Sequence, residues 1–315
     1  MKKSRKTAII GAGLAGLACA RELTERGADA VIFEKGRGLG GRLSTRRADG
    51  GIQFDHGAQY LVARNEGFLA MLQQAEAAGF AARWPLDCGE PAFVGTPGMT
   101  GLAKYLAPGL NIRKGVRITQ ILPSDGGWRL DWDNGSETFD QVVITAPAPQ
   151  TADLLPRGHA MAKALEAVAM TPCLALMVGL PKDVDVSLVT ADEPTDEIAW
   201  IARDDAKPGR PDTTCIIAHA SPEWSAQHLE LEFDEIAARM LPLVSEVIGY
   251  ELTPDALYVA AHRWRYGLVT RPLGQPCLVD ETGTLFAGGD WCLGPTAGDA
   301  WISGRAIADA LVDAV

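Results

Sequence analysis

A glycine-rich turn near the amino terminus has the residue types and spacing needed to bind a phosphate group. The apolar run 7–10 predicts a buried strand, and the pattern Gly-x-Gly-x-x-Gly follows it at once over 11–16. In this pattern the first glycine permits a tight turn, the second lets backbone amides approach a pyrophosphate, and the third lets helix and strand pack closely. A helical pattern then runs to about residue 27, so the positive end of that helix would face the phosphates. The predicted contacts are Gly11, Ala12, Gly13, Leu14, Ala15 and Gly16.

An acidic residue ends the next predicted strand, which covers 30–34. Glu34 stands where such folds place the acid that accepts hydrogen bonds from the adenosine ribose, and it would repel a 2′-phosphate. A sharp turn without a ligand is the alternative for an isolated glycine triplet. Strand, helix, second strand and terminal acid occur together here, and this favours a dinucleotide site. The glycines alone do not distinguish NAD from FAD.

Three further glycine-containing segments extend the pattern. A Gly-Gly-Arg turn lies within 35–47, and a Gly-Ala-Gln-Tyr stretch lies within 54–60. Near the carboxy terminus an apolar strand at 284–287 leads into Gly-Gly-Asp, and a glycine at 298 opens an apolar-periodic helix. Together these segments resemble the extended motif of the amine-oxidase-like flavoprotein superfamily.

The resemblance implies one FAD. In that superfamily the Gly-Gly-Arg turn touches the pyrophosphate, the Gly-Ala stretch runs beside the isoalloxazine ring, and the late acid binds ribityl or phosphate oxygens. The FAD is expected to be non-covalent, because no Cys or His lies in a recognisable flavinylation motif. Beyond the first glycine loop, the expected cofactor contacts are Glu34, Lys35, Gly40, Gly41, Arg42, Gly57, Ala58, Gln59, Val116, Gly289, Asp290, Gly298 and Ala300.

More discriminating segments narrow the resemblance. The chain is similar to the bacterial renalases in the stretches 42–47, 55–60, 221–225 and 262–267 and in the Trp that follows Asp290. The similarity extends over nearly the whole chain. The resemblance implies oxidation of the 2- or 6-dihydro isomers of NADH and NADPH, with dioxygen reoxidising the flavin to give NAD(P)+ and hydrogen peroxide. The candidate catalytic residues are Gln59, Tyr60, His262, Trp264 and Trp291.

Two other functions stay open: an amine oxidase or desaturase on the same scaffold, and a flavin-binding protein without turnover. A dihydropyridine gives up only a hydride, whereas an amine must first lose a proton. Amine oxidases of the superfamily commonly keep a lysine beside the flavin. The candidates in the presumed substrate portion are Lys182 and Lys207, and no lysine follows the latter.

The substrate-side residues have structural alternatives as well. On a strand over 257–267, His262 and Trp264 share one face while Arg263 and Arg265 share the other. One face would line the pocket and the other would meet solvent or a phosphate. A hydrogen-bonded core histidine is the alternative for His262, and ordinary packing is the alternative for the tryptophans, including Trp301.

The predicted fold class is α/β, with a doubly wound, Rossmann-like FAD-binding domain and a second, mixed-sheet substrate domain. The FAD-binding domain is assigned to 1–60, 96–160 and 275–315, and the substrate domain to 61–95 and 161–274. In the latter, 171–180, 197–203, 213–220 and 257–267 are predicted strands, and 230–248 is a predicted amphipathic helix.

Composition limits the partners. The net charge of −11 over 315 residues disfavours nucleic acid. Six scattered cysteines, without metal-ligand spacing, predict reduced thiols in a cytoplasmic protein with no metal site.

The amino terminus imitates a signal peptide, because the apolar run 7–20 follows Lys2, Lys3, Arg5 and Lys6. The three glycines in that run favour a strand and its turn instead. No apolar stretch predicts a membrane span; the expected partners are a small-molecule substrate and dioxygen, and the oligomeric state stays open.

Overall fold

The structure is a computed structural model that describes residues 5–86, 89–184 and 186–313. The strands are β1 (Thr7–Ile10), β2 (Ala30–Glu34), β3 (Thr45–Arg47), β4 (Gln53–Asp55), β5 (Leu61–Val62), β6 (Ala81–Trp84), β7 (Ala92–Gly95), β8 (Asn111–Lys114), β9 (Ile118–Ser124), β10 (Gly127–Trp132), β11 (Gly135–Phe139), β12 (Gln141–Ile144), β13 (Ala169–Gly179), β14 (Thr190–Asp192), β15 (Ile198–Arg203), β16 (Cys215–Ala220), β17 (Tyr258–Arg271), β18 (Leu278–Val279) and β19 (Leu285–Ala287). The α-helices are α1 (Leu14–Glu25), α2 (Glu66–Ala77), α3 (Thr100–Leu106), α4 (Ala148–Leu154), α5 (Ala160–Leu165), α6 (Pro222–Gln227), α7 (Phe233–Ile248) and α8 (Ala297–Asp313). Lys2, Lys3 and Cys88 lie outside the described residues. None of the helices in the described ranges is both long and apolar enough to cross a membrane.

The first sheet has six strands in the order β18-β19-β12-β1-β2-β8. All neighbours pair in parallel except β18 and β19. Its central strands β1, β12 and β19 are mainly apolar because both faces are covered: Ile9 packs with α1 and α8, whereas Ala8 and Ile10 pack with β9–β11, α4 and α5. The Rossmann-like α/β prediction is therefore confirmed.

Helices α1 and α8 cross closely on one face of this sheet. A Cβ at Gly304 would lie 2.2 Å from the carbonyl oxygen of Ala15, so only glycine permits this approach. The crossing fixes the carboxy-terminal helix beside the amino-terminal glycine loop, and both then face the same site.

The second sheet has the order β14-β15-β16-β13-β17 and pairs antiparallel throughout. The predicted strands and the helix α7 are present. The expected mixture of parallel and antiparallel pairs lies in the first sheet instead of this one. Alternate residues of β13 divide its two faces: Leu174 and Leu176 pack with α7, whereas Ala175 and Met177 face the cofactor side.

The segment 61–95 forms β5, α2, β6 and β7, and packs on α8. Asn65 accepts a hydrogen bond from the Phe68 backbone and caps α2. The Phe68 and Trp301 rings lie 5.9 Å apart. The hydrophobic core is therefore continuous across the limits proposed for the two domains at residues 60 and 95.

Candidate active site

The first glycine loop has the geometry expected for phosphate binding. Gly11 has a φ of +106°, and a Cβ at Gly16 would lie 2.0 Å from the Gly11 carbonyl oxygen. A Cβ at Gly13, by contrast, would meet no described atom within 4 Å. Gly13 precedes α1, whose first turn receives no side-chain cap from it. The turn thus has open space in front of uncapped backbone N–H groups, which is what an anion at a helix amino terminus requires.

Glu34 joins the end of β2 to this loop. Its carboxylate accepts hydrogen bonds from the backbone N–H of Ala12 at 2.8 Å and of Gly36 at 2.6 Å. Each oxygen keeps a further lone pair, so a ribose hydroxyl can still bind. Val116, expected at the adenine, donates its backbone N–H to the Glu34 carbonyl at 3.0 Å. Lys35 is largely exposed. The pKa of its ammonium is lowered mainly by partial desolvation and, to a smaller extent, by the charge of Arg117.

The Gly-Gly-Arg turn lies directly against the first loop. The Gly40 N–H donates to the Ala12 carbonyl at 2.9 Å, and Gly40 bridges to Gly13. Gly40 and Gly41 have φ values of +102° and +55°, which glycine adopts without strain. Two glycine segments that are separate in the sequence therefore form one surface.

Arg42 connects this surface to three other parts of the chain. Its guanidinium donates to Asp290 Oδ1 at 2.6 Å and to the Gly267 carbonyl at 3.0 Å. Its own carbonyl accepts the Ala58 N–H at 2.8 Å, and a Cβ at Gly57 would lie 2.1 Å from that oxygen. A guanidinium has five N–H groups, so Arg42 retains donors for a phosphate. Glycine is required at 57 because the Arg42 backbone occupies the position of a side chain.

The carboxy-terminal motif completes the arrangement. Gly289 donates its N–H to Ser303 Oγ at 2.9 Å, which fixes Asp290 at the end of β19. Gly298 and Ala300 lie in the first turn of α8, where Thr296 and Asp299 bond to each other. A cavity of about 220 Å³ opens beside Gly298, between the segments 62–65 and 293–302. The four predicted cofactor segments thus converge around the open glycine loop, and the residues present fit a dinucleotide flavin.

Gln59 lies beneath the Gly57–Ala58 segment and is almost fully buried. Its Nε2 donates to the carbonyls of Asp55 at 2.6 Å and Gly57 at 3.1 Å, and its Oε1 accepts from Lys207 Nζ at 3.0 Å. Both amide hydrogens are therefore used within the protein. These hydrogen bonds tie Gln59 to the backbone of the segment expected beside the flavin.

His262 and Trp264 come together with two histidines that the sequence did not single out. The His262 ring lies 4.6 Å from that of His56 and 4.4 Å from that of Trp264. The His56 carbonyl accepts hydrogen bonds from Trp264 Nε1 at 2.7 Å and His219 Nε2 at 3.3 Å. His219 and His262 lie level with each other on either side of β13, because both pair with Ala175. This register, which the sequence does not contain, creates the cluster.

The histidine cluster is uncharged near neutral pH. Burial lowers the pKa of His56 to about 3, and burial lowers those of His219 and His262 to about 4. The charge of Arg46 acts in the same direction on His56 and His262. His56 Nδ1 is buried and has no hydrogen-bond partner among the described residues. A buried polar atom without a partner is a candidate for contact with a ligand.

The arginine face of β17 and the neighbouring Trp291 both have contacts within the protein. Arg263 donates to the Leu231 carbonyl, and Arg265 forms a two-bond ion pair with Glu230 at 2.6 and 2.9 Å. The arginine face of β17 therefore meets the segment between α6 and α7 instead of a phosphate. Trp291 is fully buried and donates Nε1 to the Ala146 carbonyl at 3.0 Å, so its ring packs in the core.

Tyr60 lies at the edge of the site. Its ring is 5.6 Å from that of Trp200 and 6.5 Å from that of Trp84. Lys207 Nζ lies 5.5 Å from the centre of the Trp84 ring, which is within the range of a cation–π contact. Tyr60 therefore belongs to an aromatic group that borders Gln59 and Lys207.

A buried charge quartet underlies the site: Asp55, Asp204, Lys207 and Arg210, none with more than 1% of its side chain exposed. Lys207 Nζ lies 2.6 Å from Asp204 Oδ1, and Arg210 binds Asp55 through two nitrogens. Burial raises the pKa of Asp55, but Lys207 and Arg210 outweigh it and lower that pKa overall. Burial raises the pKa of Asp204. No local sequence pattern indicates the quartet, because 155 positions separate Arg210 from Asp55.

The doubly wound sheet and the converging glycine loops define the class of protein: an FAD-dependent oxidoreductase. A family model described as an NAD(P)-binding Rossmann-like domain matches residues 9–75. The model described as flavin containing amine oxidoreductase matches residues 68–312, which is most of the chain. The chain therefore belongs to the flavin containing amine oxidoreductase family.

Two individual relatives match short stretches of this chain. A Mycobacterium tuberculosis protein provisionally named as a flavin-containing monoamine oxidase is 40% identical over 63 residues, or 20% of this chain and 14% of that protein. A 4,4'-diapophytoene desaturase of Staphylococcus aureus is 44% identical over 52 residues, or 16% of this chain and 10% of that protein. The chain thus spans 14% or less of the length of these two relatives.

Solved structures match along the whole chain. A protein of Exiguobacterium sp. 255-15, provisionally named as a protoporphyrinogen oxidase, has a TM-score of 0.75 at 17% identity, covering 98% of both chains. An engineered putrescine oxidase has a TM-score of 0.71 at 12% identity, covering 98% of this chain and 99% of that one. At these identities the likeness shows a shared fold alone.

Proposed function

We propose that this oxidoreductase removes a hydride from the 2- or 6-dihydro isomers of NADH and NADPH. Bound FAD supplies the chemistry of the reaction, accepting the hydride and passing the two electrons to dioxygen. The overall reaction consumes the dihydronicotinamide, one proton and dioxygen, and gives NAD(P)+ and hydrogen peroxide. The resemblance to renalases supports this substrate class, and the charges of the site support it independently.

The observation that carries the proposal is that the three described aspartates around the expected flavin face are each paired with a cation. Asp290 binds Arg42, Asp204 binds Lys207, and Asp55 binds Arg210. A substrate ammonium would therefore find no free carboxylate among these groups. The histidines, with pKa values of about 3 to 4, are uncharged and add no negative charge.

The residues of the chain have positioning roles in this proposal. Gln59 and Arg42 fix the backbone of Gly57 and Ala58 at the expected flavin face. His262 and Trp264 offer partly exposed rings on which a flat nicotinamide can pack. Oxidising a dihydropyridine restores aromaticity and requires no proton abstraction, so placement of the donor carbon about 3–3.5 Å from the acceptor is sufficient.

Amine oxidation is the second candidate, and one observation favours it. Lys207, one of the two candidate lysines, is buried within 3.0 Å of Gln59 and lies close to the expected flavin segment. However, Lys207 donates to both Asp204 and Gln59 and is bound as a cation. The Tyr60 and Trp200 rings lie 5.6 Å apart, whereas an amine between two rings needs two contacts of about 3.5 Å each.

Anaerobic rapid mixing of the FAD-bound enzyme tests the proposal. We expect the 2- and 6-dihydro isomers to bleach the flavin rapidly, ordinary NADH to do so slowly, and a panel of primary and secondary amines hardly at all. The reduction rate should be constant from pH 6 to 8.5, because the histidines stay uncharged across that range. Amine oxidation would instead accelerate as the ammonium loses its proton.

In air, each turnover should release one hydrogen peroxide and one oxidised nicotinamide. Reduction by ordinary NADH as fast as by its isomers would overturn the proposed selectivity. Reduction by an amine faster than by both would replace the proposal with the amine-oxidase alternative.

A further inference from the structure

Arg46 is a cation beside the histidine cluster without a carboxylate partner. It lies on β3, half-buried, with Nη1 3.5 Å from the Tyr258 hydroxyl. No Asp or Glu oxygen of the described residues lies within 4 Å of it. Its charge reaches His56 and His262, since it helps to lower the pKa of both after burial.

The other cations of the site are neutralised. Arg42, Lys207 and Arg210 each contact an aspartate within the protein, and the histidines carry no charge. Arg46 is therefore the source of a net positive charge at the substrate side. Its neighbour His56 also has a buried Nδ1 without a partner, which is a second, independent sign that a polar ligand group enters here.

A guanidinium of this kind matches the geometry of a phosphate. Its planar fork of N–H groups binds two phosphate oxygens at once, and the Tyr258 hydroxyl beside it adds a further donor. The rings of His262 and Trp264 stand on the same face of β17 as Tyr258. A ligand that packs a flat ring on the first two can therefore extend its phosphate toward Tyr258 and Arg46.

We infer that Arg46 and Tyr258 form the subsite that binds the phosphate of the dihydronicotinamide nucleotide. This inference rests on the proposed function and deepens it. The positive charge of Arg46 attracts negatively charged substrates and repels ammonium groups. Arg46 is a specificity residue and takes no part in hydride transfer.

Equilibrium binding to the FAD-bound enzyme tests the subsite without turnover. The ligands are oxidised nicotinamide mononucleotide, the corresponding riboside that lacks the phosphate, and inorganic pyrophosphate. Arg46→Ala should weaken binding of the mononucleotide and of pyrophosphate by about tenfold or more, and leave riboside binding unchanged. Arg46→Lys should recover part of the loss, because it keeps the charge but not the fork.

Arg47→Ala is the matched control. It removes the same charge from the next residue of the same strand, which is exposed and points to the other face. It should change neither binding constant. The reduction rate at saturating dihydro-mononucleotide should be equal in wild type and Arg46→Ala, and the FAD content of all variants should be unchanged.

The outcomes separate the two proposals. Equal effects of Arg46→Ala on mononucleotide and riboside, or no effect on either, would overturn the subsite while leaving the reaction intact. Loss of FAD from Arg46→Ala would also overturn it, since the arginine would then serve the cofactor. Failure of every dihydronicotinamide to reduce the wild-type flavin would refute the proposed function, and Arg46-dependent pyrophosphate binding would still support the subsite.

Discussion

Replacing Gly13 with alanine separates the needs of the cofactor from those of the fold. An alanine Cβ at this position meets no described atom within 4 Å, and the backbone angles of −74° and −179° suit any residue. Alanine is a poorer helix cap than glycine, which lowers the stability of the folded protein. Alanine also reduces the conformational entropy of the unfolded chain, which raises the stability of the folded protein by about 0.4–1 kcal/mol and offsets this loss. The apoprotein should therefore unfold at nearly the wild-type temperature.

FAD binding should respond differently. The added methyl group occupies the space in front of the first turn of α1, through which backbone N–H groups would reach the pyrophosphate. Losing one hydrogen bond to a charged group costs about 1.5–3 kcal/mol, which is roughly a 10- to 150-fold increase in the dissociation constant of FAD. Titration of the apoprotein with FAD, followed by flavin fluorescence, measures this constant.

Two other glycine variants complete the experiment. Gly38→Ala is the matched control, since Gly38 also has no described atom within 4 Å of a built Cβ but lies outside the predicted contacts. It should bind FAD normally. Gly16→Ala should destabilise the apoprotein itself, because its Cβ would lie 2.0 Å from the Gly11 carbonyl oxygen. An FAD affinity of Gly13→Ala within twofold of wild type would refute our placement of the pyrophosphate.

Two further predictions concern the cofactor and pH. Acid or heat denaturation should release intact FAD, because Cys292, the thiol nearest Asp290, is fully buried and burial raises its pKa to about 12; flavin that stays with the precipitated protein would contradict this. The free energy of unfolding should fall as pH drops from 6.5 to 5, since the unfolded chain gains protons at histidines that stay neutral when folded. The loss should be roughly 2 kcal/mol for each of His56 and His219, and His219→Gln should reduce the slope of stability against pH measured by denaturant titration.

The sequence predicted those features that local patterns determine. Gly11, Gly13 and Gly16 follow an apolar strand at a fixed spacing, and the alternation along β17 placed His262 and Trp264 on one face. Both kinds of signal depend on backbone geometry within one or two elements. They were sufficient to predict the α/β class and a dinucleotide site, whereas the choice of FAD came from the resemblance of the later glycine segments to the flavoprotein superfamily.

Features that depend on strand register and on distant segments were not predictable in this way. His219 of β16 and His262 of β17 lie on either side of Ala175 of β13, so the strand register alone brings both to the site. Trp291 follows Asp290 directly, yet the short turn at 290–292 directs its ring into the core. Proximity in sequence to a site residue therefore did not predict the direction of the side chain.

The buried quartet has a consequence for how substrate enters and product leaves. Asp55 belongs to the segment that holds the expected flavin face, whereas Lys207 and Arg210 belong to the segment between β15 and β16. Moving β3 and β4 away from the second sheet would separate Asp55 from Lys207 and Arg210, at a cost of about 3–5 kcal/mol for each broken pair. A hinge cycle of opening and closing is therefore disfavoured. The segment that carries Asp55 and the segment that carries Lys207 and Arg210 should therefore stay in contact throughout turnover.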